Sequence, residues 1–336
     1  MLTLDYTLTV GRKAYGAQLL RLICKRGLAP DVGVLRAWLP HGMNVDGATG
    51  TPVHLRLDSG DAEALVFTGT ATRLVSGPRG VELRAGDAAQ RLAARRPGTT
   101  YVAQRASEVI TDLCRQGGVD DTEVDSGPLL PLYVADGGST AWEHIGRLAA
   151  WYGADAGVDA DDRVTVRIGQ PVMADHALRW GREVLDLRVV SAASAPAAVR
   201  VAGGGPGPAD ARPGALGFSA AEPAGAGDPA FTRSRPALRD TSAVTQATAA
   251  WTRHEAARRR GIRLRTFLLP QLQPGGYLEI QDSPVEVPLL QVRRLEHRVD
   301  ARGALTYVDA LPASADLPGL DAIIGLAGGL VAGALP

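Results

Sequence analysis

Two Asp-Ser-Gly triplets, Asp58-Ser59-Gly60 and Asp125-Ser126-Gly127, come closest in residue type to a catalytic pair. In aspartic peptidases such turns hold two carboxylates face to face, where they share a proton and activate water. That chemistry needs both turns seated in matching apolar loops. Here Asp61 adds a charge beside the first, Pro128 follows the second, and a helical segment lies between them. The triplets read as β-turns, and an aspartic peptidase or other wall-directed hydrolase stands as the alternative function. Asp159, Asp161 and Asp162 suggest a calcium loop, but the sixth position is Val164 where a glycine is required. A solvated hairpin turn is the better reading. The run Gly203 to Gly207 follows a strand, as a phosphate loop would, yet no Gly-Lys-Ser/Thr follows it. His41, His54, His144, His176, His254 and His297 form no metal-ligating pair, and no nucleophile elbow is present. His144 reads as a partly exposed neighbour of Trp142. No catalytic, cofactor-binding or metal residue is assigned, no cofactor is implied, and an enzyme is not expected.

The electrostatics point the same way. The chain of 336 residues carries 36 basic and 36 acidic side chains and no net charge. A nucleic-acid binder working through bulk charge is therefore not expected. Arg253, Arg258, Arg259, Arg260, Arg263 and Arg265 form a basic run, but Trp251 is its sole aromatic, where stacking on bases would want several. A solvated helix face or a salt-bridged subunit interface fits that run better. Cys24 and Cys114 lie in apolar contexts without a second cysteine or histidine at ligand spacing, so both are expected to be buried free thiols of a reducing compartment. The start, Met1-Leu2-Thr3-Leu4-Asp5, lacks the basic and apolar regions of a signal peptide.

These residues hang on elements that hydrophobic spacing predicts. Val109, Ile110, Leu113 and Cys114 share one face of a helix over 106–116, with Gly117 and Gly118 as its left-handed stop. A strand follows over 129–134, interrupted by Pro131. A second helix opens at Ser139 or Thr140, where Thr140 and Glu143 have capping-box spacing. Its stripe is Trp142, Ile145, Leu148, Ala149 and Tyr152, and Gly153 ends it. Residues 156–158 and 164–168 then alternate as a hairpin around the acidic turn 159–163. This region, 101–175, is expected to pack and to join.

On either side the chain reads as β structure. Residues 1–100 form a first domain: strict alternation at Leu2 to Val10, then strands over 32–39, 53–57, 65–72 and 81–85, with a short helix over 88–94. The second domain, 176–311, has strands over 180–201, 264–269, 277–280, 289–299 and 304–311, and a helix over 242–260 stopped by Gly261. Within it, 202–229 is dense in Gly, Pro and Ala without periodicity and reads as a long mobile insertion. The tail, 312–336, carries an apolar run over 320–335 that is shorter than the roughly 20 residues of a membrane span. Such a run marks a protein contact.

The order of these signals resembles one family. Val10-Gly11 closes an opening strand; Leu65-Val-Phe-Thr-Gly69 precedes Val81 to Asp87 and Leu92; the helix from Tyr101 through Ile110 to Gly118 and the helix Ser139 to Ala149 with Tyr152-Gly153 follow. Leu272-Gln-Pro-Gly275 and the run Val292 to His297 with Gly303 and Thr306 close the series. Together they resemble the baseplate hub of contractile phage tails and extracellular contractile injection systems, a late control protein D-like family that also forms the front part of VgrG spikes. The match reaches to about Leu311. The insertion at 202–229, the tail, and the lack of a spike domain depart from the pattern. The resemblance implies an α+β, mainly β protein with two tube-protein-like β-barrel domains joined by the central helix-strand-helix-hairpin module. It further implies a structural homotrimer, assembled in the cytoplasm into a phage tail-like particle, that adapts a sixfold inner tube to a threefold spike. The implied partners are a separate trimeric spike, docked by the tail, a hexameric tube or tube-initiator protein, and baseplate wedge proteins. Neither nucleic acid nor, for the free subunit, a membrane is among them, and His297 takes a structural role.

Overall fold

The computed structural model describes residues 5–313 apart from 17, 44, 46–47, 61, 79, 170–172, 192–197, 204–229, 236, 240 and 259. The architecture is α+β and mainly β, as the sequence predicts. Seven strands come first: β1 (Asp5–Val10), β2 (Lys13–Gly16), β3 (Arg21–Gly27), β4 (Val34–Leu39), β5 (Pro52–Asp58), β6 (Glu63–Gly77) and β7 (Gly80–Gly86). Alternation decides their faces. Leu8 and Val10 of β1, Leu35, Ala37 and Leu39 of β4, Val53, Leu55 and Leu57 of β5, and Val81, Leu83 and Ala85 of β7 all turn into one apolar cluster. Helix α1 (Ala88–Ala94) follows, capped by Asp87.

The middle of the chain holds β8 (Thr99–Arg105), α2 (Ala106–Gln116), β9 (Thr122–Val124), β10 (Leu129–Ala135), α3 (Ala141–Trp151), β11 (Ala154–Val158) and β12 (Val164–Ile168). The capping box of α3 forms: the Glu143 N–H donates to the Thr140 hydroxyl at 3.2 Å, and the Thr140 N–H donates to the Glu143 carboxylate at 2.7 Å. Gly118 takes the left-handed φ of +73° after α2. The apolar stripes of α2 and α3 face each other in a second cluster, where Val109, Ile110, Leu113, Trp142, Ile145 and Leu148 are fully or almost fully buried. The expected hairpin is present as β11 and β12, with β9 added in parallel to β12.

The remaining elements are β13 (His176–Arg179), β14 (Val184–Ser191), β15 (Ala198–Gly203), β16 (Ala230–Arg235), α4 (Thr241–Arg258), β17 (Arg260–Phe267), β18 (Tyr277–Gln281), β19 (Leu290–Asp300) and β20 (Gly303–Pro312). A third cluster lies among them, with Ile262, Leu264, Leu278, Leu290, Val292, Leu295 and Val308. Three expectations need correcting here. Gly261 does not stop α4; it belongs to β17 and pairs with Val190 of β14, so the helix ends at Arg258. Ala202 and Gly203 are not loop but the end of β15, opposite Ser234 and Arg235 of β16. Arg263 and Arg265 sit on a strand rather than a helix face, and Arg263 meets its cross-strand neighbour Asp309 at 3.2 Å. The rest of the insertion, 204–229, and the apolar tail lie outside the described residues. Among the described residues no helix is long and apolar enough to cross a membrane.

Strand pairing makes the decisive connection. Thirteen strands form one sheet with the order β14-β17-β20-β19-β3-β4-β7-β6-β5-β1-β2, and β18 and β13 branch from β19. The sheet therefore runs from the late strands into the early ones through a single antiparallel ladder, β3 against β19. Trp142 ties α3 to this frame: it is 1 % exposed, and its indole N–H donates to the Asp31 carbonyl at 3.0 Å. Trp142→Ala should cost about 3–5 kcal/mol, measured as a lowered urea midpoint with the urea dependence of the unfolding free energy unchanged.

Candidate functional site: the seam between the two β halves

Among the described residues, buried polar groups gather where the two β halves meet the central module. Asp58 closes β5 and its carboxylate accepts the Gly60 N–H at 2.7 Å, while the Ser59 hydroxyl donates to the Ala62 carbonyl. Asp125 follows β9 in a different sheet, and its carboxylate accepts the Ile168 N–H at 2.7 Å. The first triplet thus makes the expected local turn, but the second does not: Asp125 is bonded to distant β12, its N–H donating to the Val166 carbonyl at 2.8 Å, and neither carboxylate is hydrogen-bonded to the other. The Asp159 carboxylate accepts the N–H groups of Asp161 and Arg163, as a hairpin turn requires. Asp162 does something the sequence did not reveal. Held at a φ of +73°, it accepts the Ala88 N–H at 2.5 Å and pairs with Arg91 at 2.9 Å, so the hairpin tip caps α1. Among the described residues, no three His, Cys, Asp or Glu side chains are grouped to hold a metal. His144 is fully buried, not partly exposed. Its Nδ1 lies 2.6 Å from the Tyr133 hydroxyl and its Nε2 lies 3.0 Å from the Asp136 carbonyl.

The seam is built where three bodies meet. From β3, the buried Arg26 sends its guanidinium to the Val158 carbonyl of β11 at 2.9 Å. Just beyond β3, the Ala29 N–H donates to Ala156 at 2.8 Å and the Leu28 N–H donates to Arg293 at 2.9 Å. From β19, Arg293 forms an ion pair with Asp155 of β11, and Gln291 donates to the other oxygen of that carboxylate at 2.9 Å. β11 therefore grips both strands of the ladder. Close packing is enforced by small residues: a Cβ on Gly146 of α3 would lie 2.9 Å from that of Ala29, and one on Gly33 would lie 2.0 Å from the Asp87 carboxylate.

At the centre of the ladder His297 of β19 faces Cys24 of β3 on one side and Thr306 of β20 on the other. The Leu269 N–H donates to the Thr306 hydroxyl at 3.0 Å, and that hydroxyl lies 2.9 Å from His297 Nδ1. Burial, with help from Arg26, holds the imidazole down to about 3 and therefore neutral. Burial pushes the Cys24 thiol up to about 12 and that of Cys114 likewise, so neither is poised for reaction. Both cysteines are free and buried, as expected. Burial also raises the Asp87 carboxyl to about 6, the Arg26 guanidinium opposing and the Asp162 carboxylate adding to it. These groups join parts of the chain that lie far apart in sequence.

The sheet's two ends are the other notable surface. Among the described residues β2 pairs only with β1, and β14 forms its ladder only with β17, with a single bridge from Val184 to Trp180 at its start. On β14 consecutive residues, Val189 and Val190, are 37 % and 41 % exposed. Unpaired backbone flanked by exposed valine is a template for pairing with another chain.

This is a fold shared with proteins of phage tails. The 43 kDa tail protein of prophage MuSo2 from Shewanella oneidensis superposes with a TM-score of 0.71 at 13 % identity, over 93 % of this chain and 99 % of that one. A tail protein from Neisseria meningitidis MC58 gives 0.68 at 12 %, over 92 % and 96 %. The c3393 protein of E. coli, a component of the type VI secretion system with structural similarity to the T4 bacteriophage tail proteins gp27 and gp5, gives 0.63 at 11 %, over 93 % and 79 %. No protein-family model matches the chain, and no curated protein matches it by sequence.

The seam carries opposed pH dependences. His297, lowered from 6.5 to about 3, adds stability above about pH 6.5 that is lost as pH falls through about 3. Asp87, raised from 3.8 to about 6, adds stability below about pH 4 that is lost as pH rises through about 6. The stability of the native protein relative to His297→Gln should therefore shrink on acidification from about pH 6.5 to 3. Relative to Asp87→Asn it should grow on acidification from about pH 6 to 4. Urea midpoints of the three proteins across that range check both signs.

Proposed function

We propose that this chain is a structural hub of a contractile tail or injection particle, a homotrimer that adapts a sixfold inner tube to a threefold spike, and that it has no catalytic step. One observation supports the reading: the sheet crosses from the late strands to the early ones through β3 and β19 and, among the described residues, ends at β2 and at β14, whose edge is free beyond the bridge at Val184. The β14 edge of one copy can pair with the β2 edge of the next and repeat between chains what the seam does within one. Three copies with two β halves each then present six similar positions on the tube side while remaining threefold on the spike side. The shared fold with tail proteins and with a secretion component similar to gp27 and gp5 supports this role. The particle's other members would be a hexameric tube or tube-initiator protein, wedge proteins, and a separate spike recruited by the tail after Pro312. In this reading 1–100 and 176–311 are the two tube-like domains and 101–175 sets the angle between them. The placement of Asp58 and Asp125 lends the peptidase alternative no support.

Native mass spectrometry of the full chain should show a species of three 35.1 kDa subunits. The double substitution Val189→Lys, Val190→Lys should leave the far-ultraviolet dichroism unchanged and reduce that species to monomer. A chain that stays monomeric at every concentration, or a trimer indifferent to the lysines, would overturn the proposal.

A further inference from the structure

A cleft of about 680 Å³ lies away from the seam, between β10 and β16. Leu132, Tyr133 and Val134 of β10 line one wall, and Arg233, Ser234 and Arg235 of β16 line the other. Side chains of a strand alternate between its faces, so three consecutive lining residues mean that the strand's edge, not a face, borders the space. Both edges are open. Among the described residues β10 pairs only with β8, and β16 only with β15. Two unpaired strand edges thus border one groove, with room for an extended chain to complete a sheet from β8 to β15.

The chemistry of the walls says what that chain carries. Arg147, Arg233, Arg235 and Arg239 line the cleft, against Asp136 as the one acidic lining residue. The Arg235 guanidinium is held below its ordinary range by burial first, then by the neighbouring charges of Arg233 and Arg147. The buried Nε atoms of Arg235 and Arg239 and the indole N–H of Trp151, which is 4 % exposed, have no hydrogen-bond partner. Arg233 is anchored by stacking on Trp251 at 3.6 Å, which fixes its position on the wall. On the opposite wall the exposed side chains are apolar, Leu132 at 36 % and Val134 at 52 %. Like charges crowded beside unsatisfied buried donors are stabilised by an incoming carboxylate, which accepts from such donors.

We propose that this groove binds an extended acidic segment of a partner protein, alternating carboxylate and apolar residues, by strand addition between β10 and β16. Its backbone pairs with the two edges, its carboxylates meet Arg235, Arg239 and Arg147, and its apolar residues cover Leu132 and Val134. The inference does not depend on the trimer, whose proposed contacts lie at β2 and β14.

Fluorescence anisotropy with the full chain tests it. The probe is a labelled octapeptide alternating Val and Glu, compared with a Val/Gln version and with a Val/Glu version N-methylated on its central residues. The acidic peptide should bind. Replacing Glu by Gln, methylating the backbone, or making Arg235→Gln together with Arg239→Gln should each weaken binding by about tenfold or more. Equal binding of the methylated peptide, or displacement of the probe by millimolar inorganic phosphate, would overturn strand addition in favour of a small-anion site. Loss of probe binding as the protein self-associates would assign the groove to a second copy. No binding of the acidic peptide would remove the proposal, and the peptide series decides the matter even if the arginine variants fail to fold.

Discussion

The antiparallel ladder between β3 and β19 is the interaction on which the rest of this structure depends. Without it the early and late strands would be two separate sheets, each with one more unpaired edge. With it, a single path of backbone hydrogen bonds spans the described chain from β14 to β2. Backbone pairing of this length is directional, because a slip of one residue would turn every buried side chain outward. The ladder therefore transmits orientation as well as cohesion. That property suits a protein proposed to sit in a ring, where a small error in the angle between halves prevents closure.

A ladder alone would still bend, and the central module is what stiffens it. β11 reaches across both strands, taking the Arg26 guanidinium on one side and the Arg293 guanidinium on the other. Behind it, α3 presses Gly146 against Ala29 and hydrogen-bonds Asp31 through Trp142. The same module caps α1 through Asp162. Buried charge is costly in such a place, since each ion loses its water. Here the Arg26 guanidinium is held by the Val158 carbonyl of β11, and an arrangement without that contact would leave it without this acceptor in the interior.

Much of this could be read from the residues. Period-two alternation located β1 and β5, apolar runs between turns located β4, β7, β19 and β20, and helical spacing located α2 and, with a capping box, α3 to within two residues. Both signals are local: they report which face of an element meets the core. β3 escaped because it obeys no such rule. Its run of Leu22, Ile23 and Cys24 is buried without alternation, and Arg26 beside them is buried too, since the strand is covered on both faces by other parts of the chain. β2, β8, β9, β13 and β16 escaped because they take their identity from their pairing partners; Tyr101 to Arg105, read with the helix, is strand β8, held by β10. His144 was misjudged for a related reason. A histidine on a helix looks solvent-facing until Tyr133 and the Asp136 carbonyl, on another segment, supply its partners.

By itself the sequence determined the class of the fold, the faces of most elements, the absence of a net charge, and the weakness of the Asp-Ser-Gly triplets as a catalytic pair. Each follows from composition or from short-range periodicity, which the chain carries wherever it folds. Only the tertiary structure decided that the two β halves share one sheet, that the Arg26 charge acts on both Asp87 and His297, and that two strand edges line an arginine-rich groove. Those facts depend on the placement of residues far apart in sequence, such as Cys24 opposite His297 in the ladder and Tyr133 across the cleft from Arg235. Such pairings leave no local spacing to read, because backbone groups pair alike whatever the side chains, and only the folded chain determines which strands lie side by side.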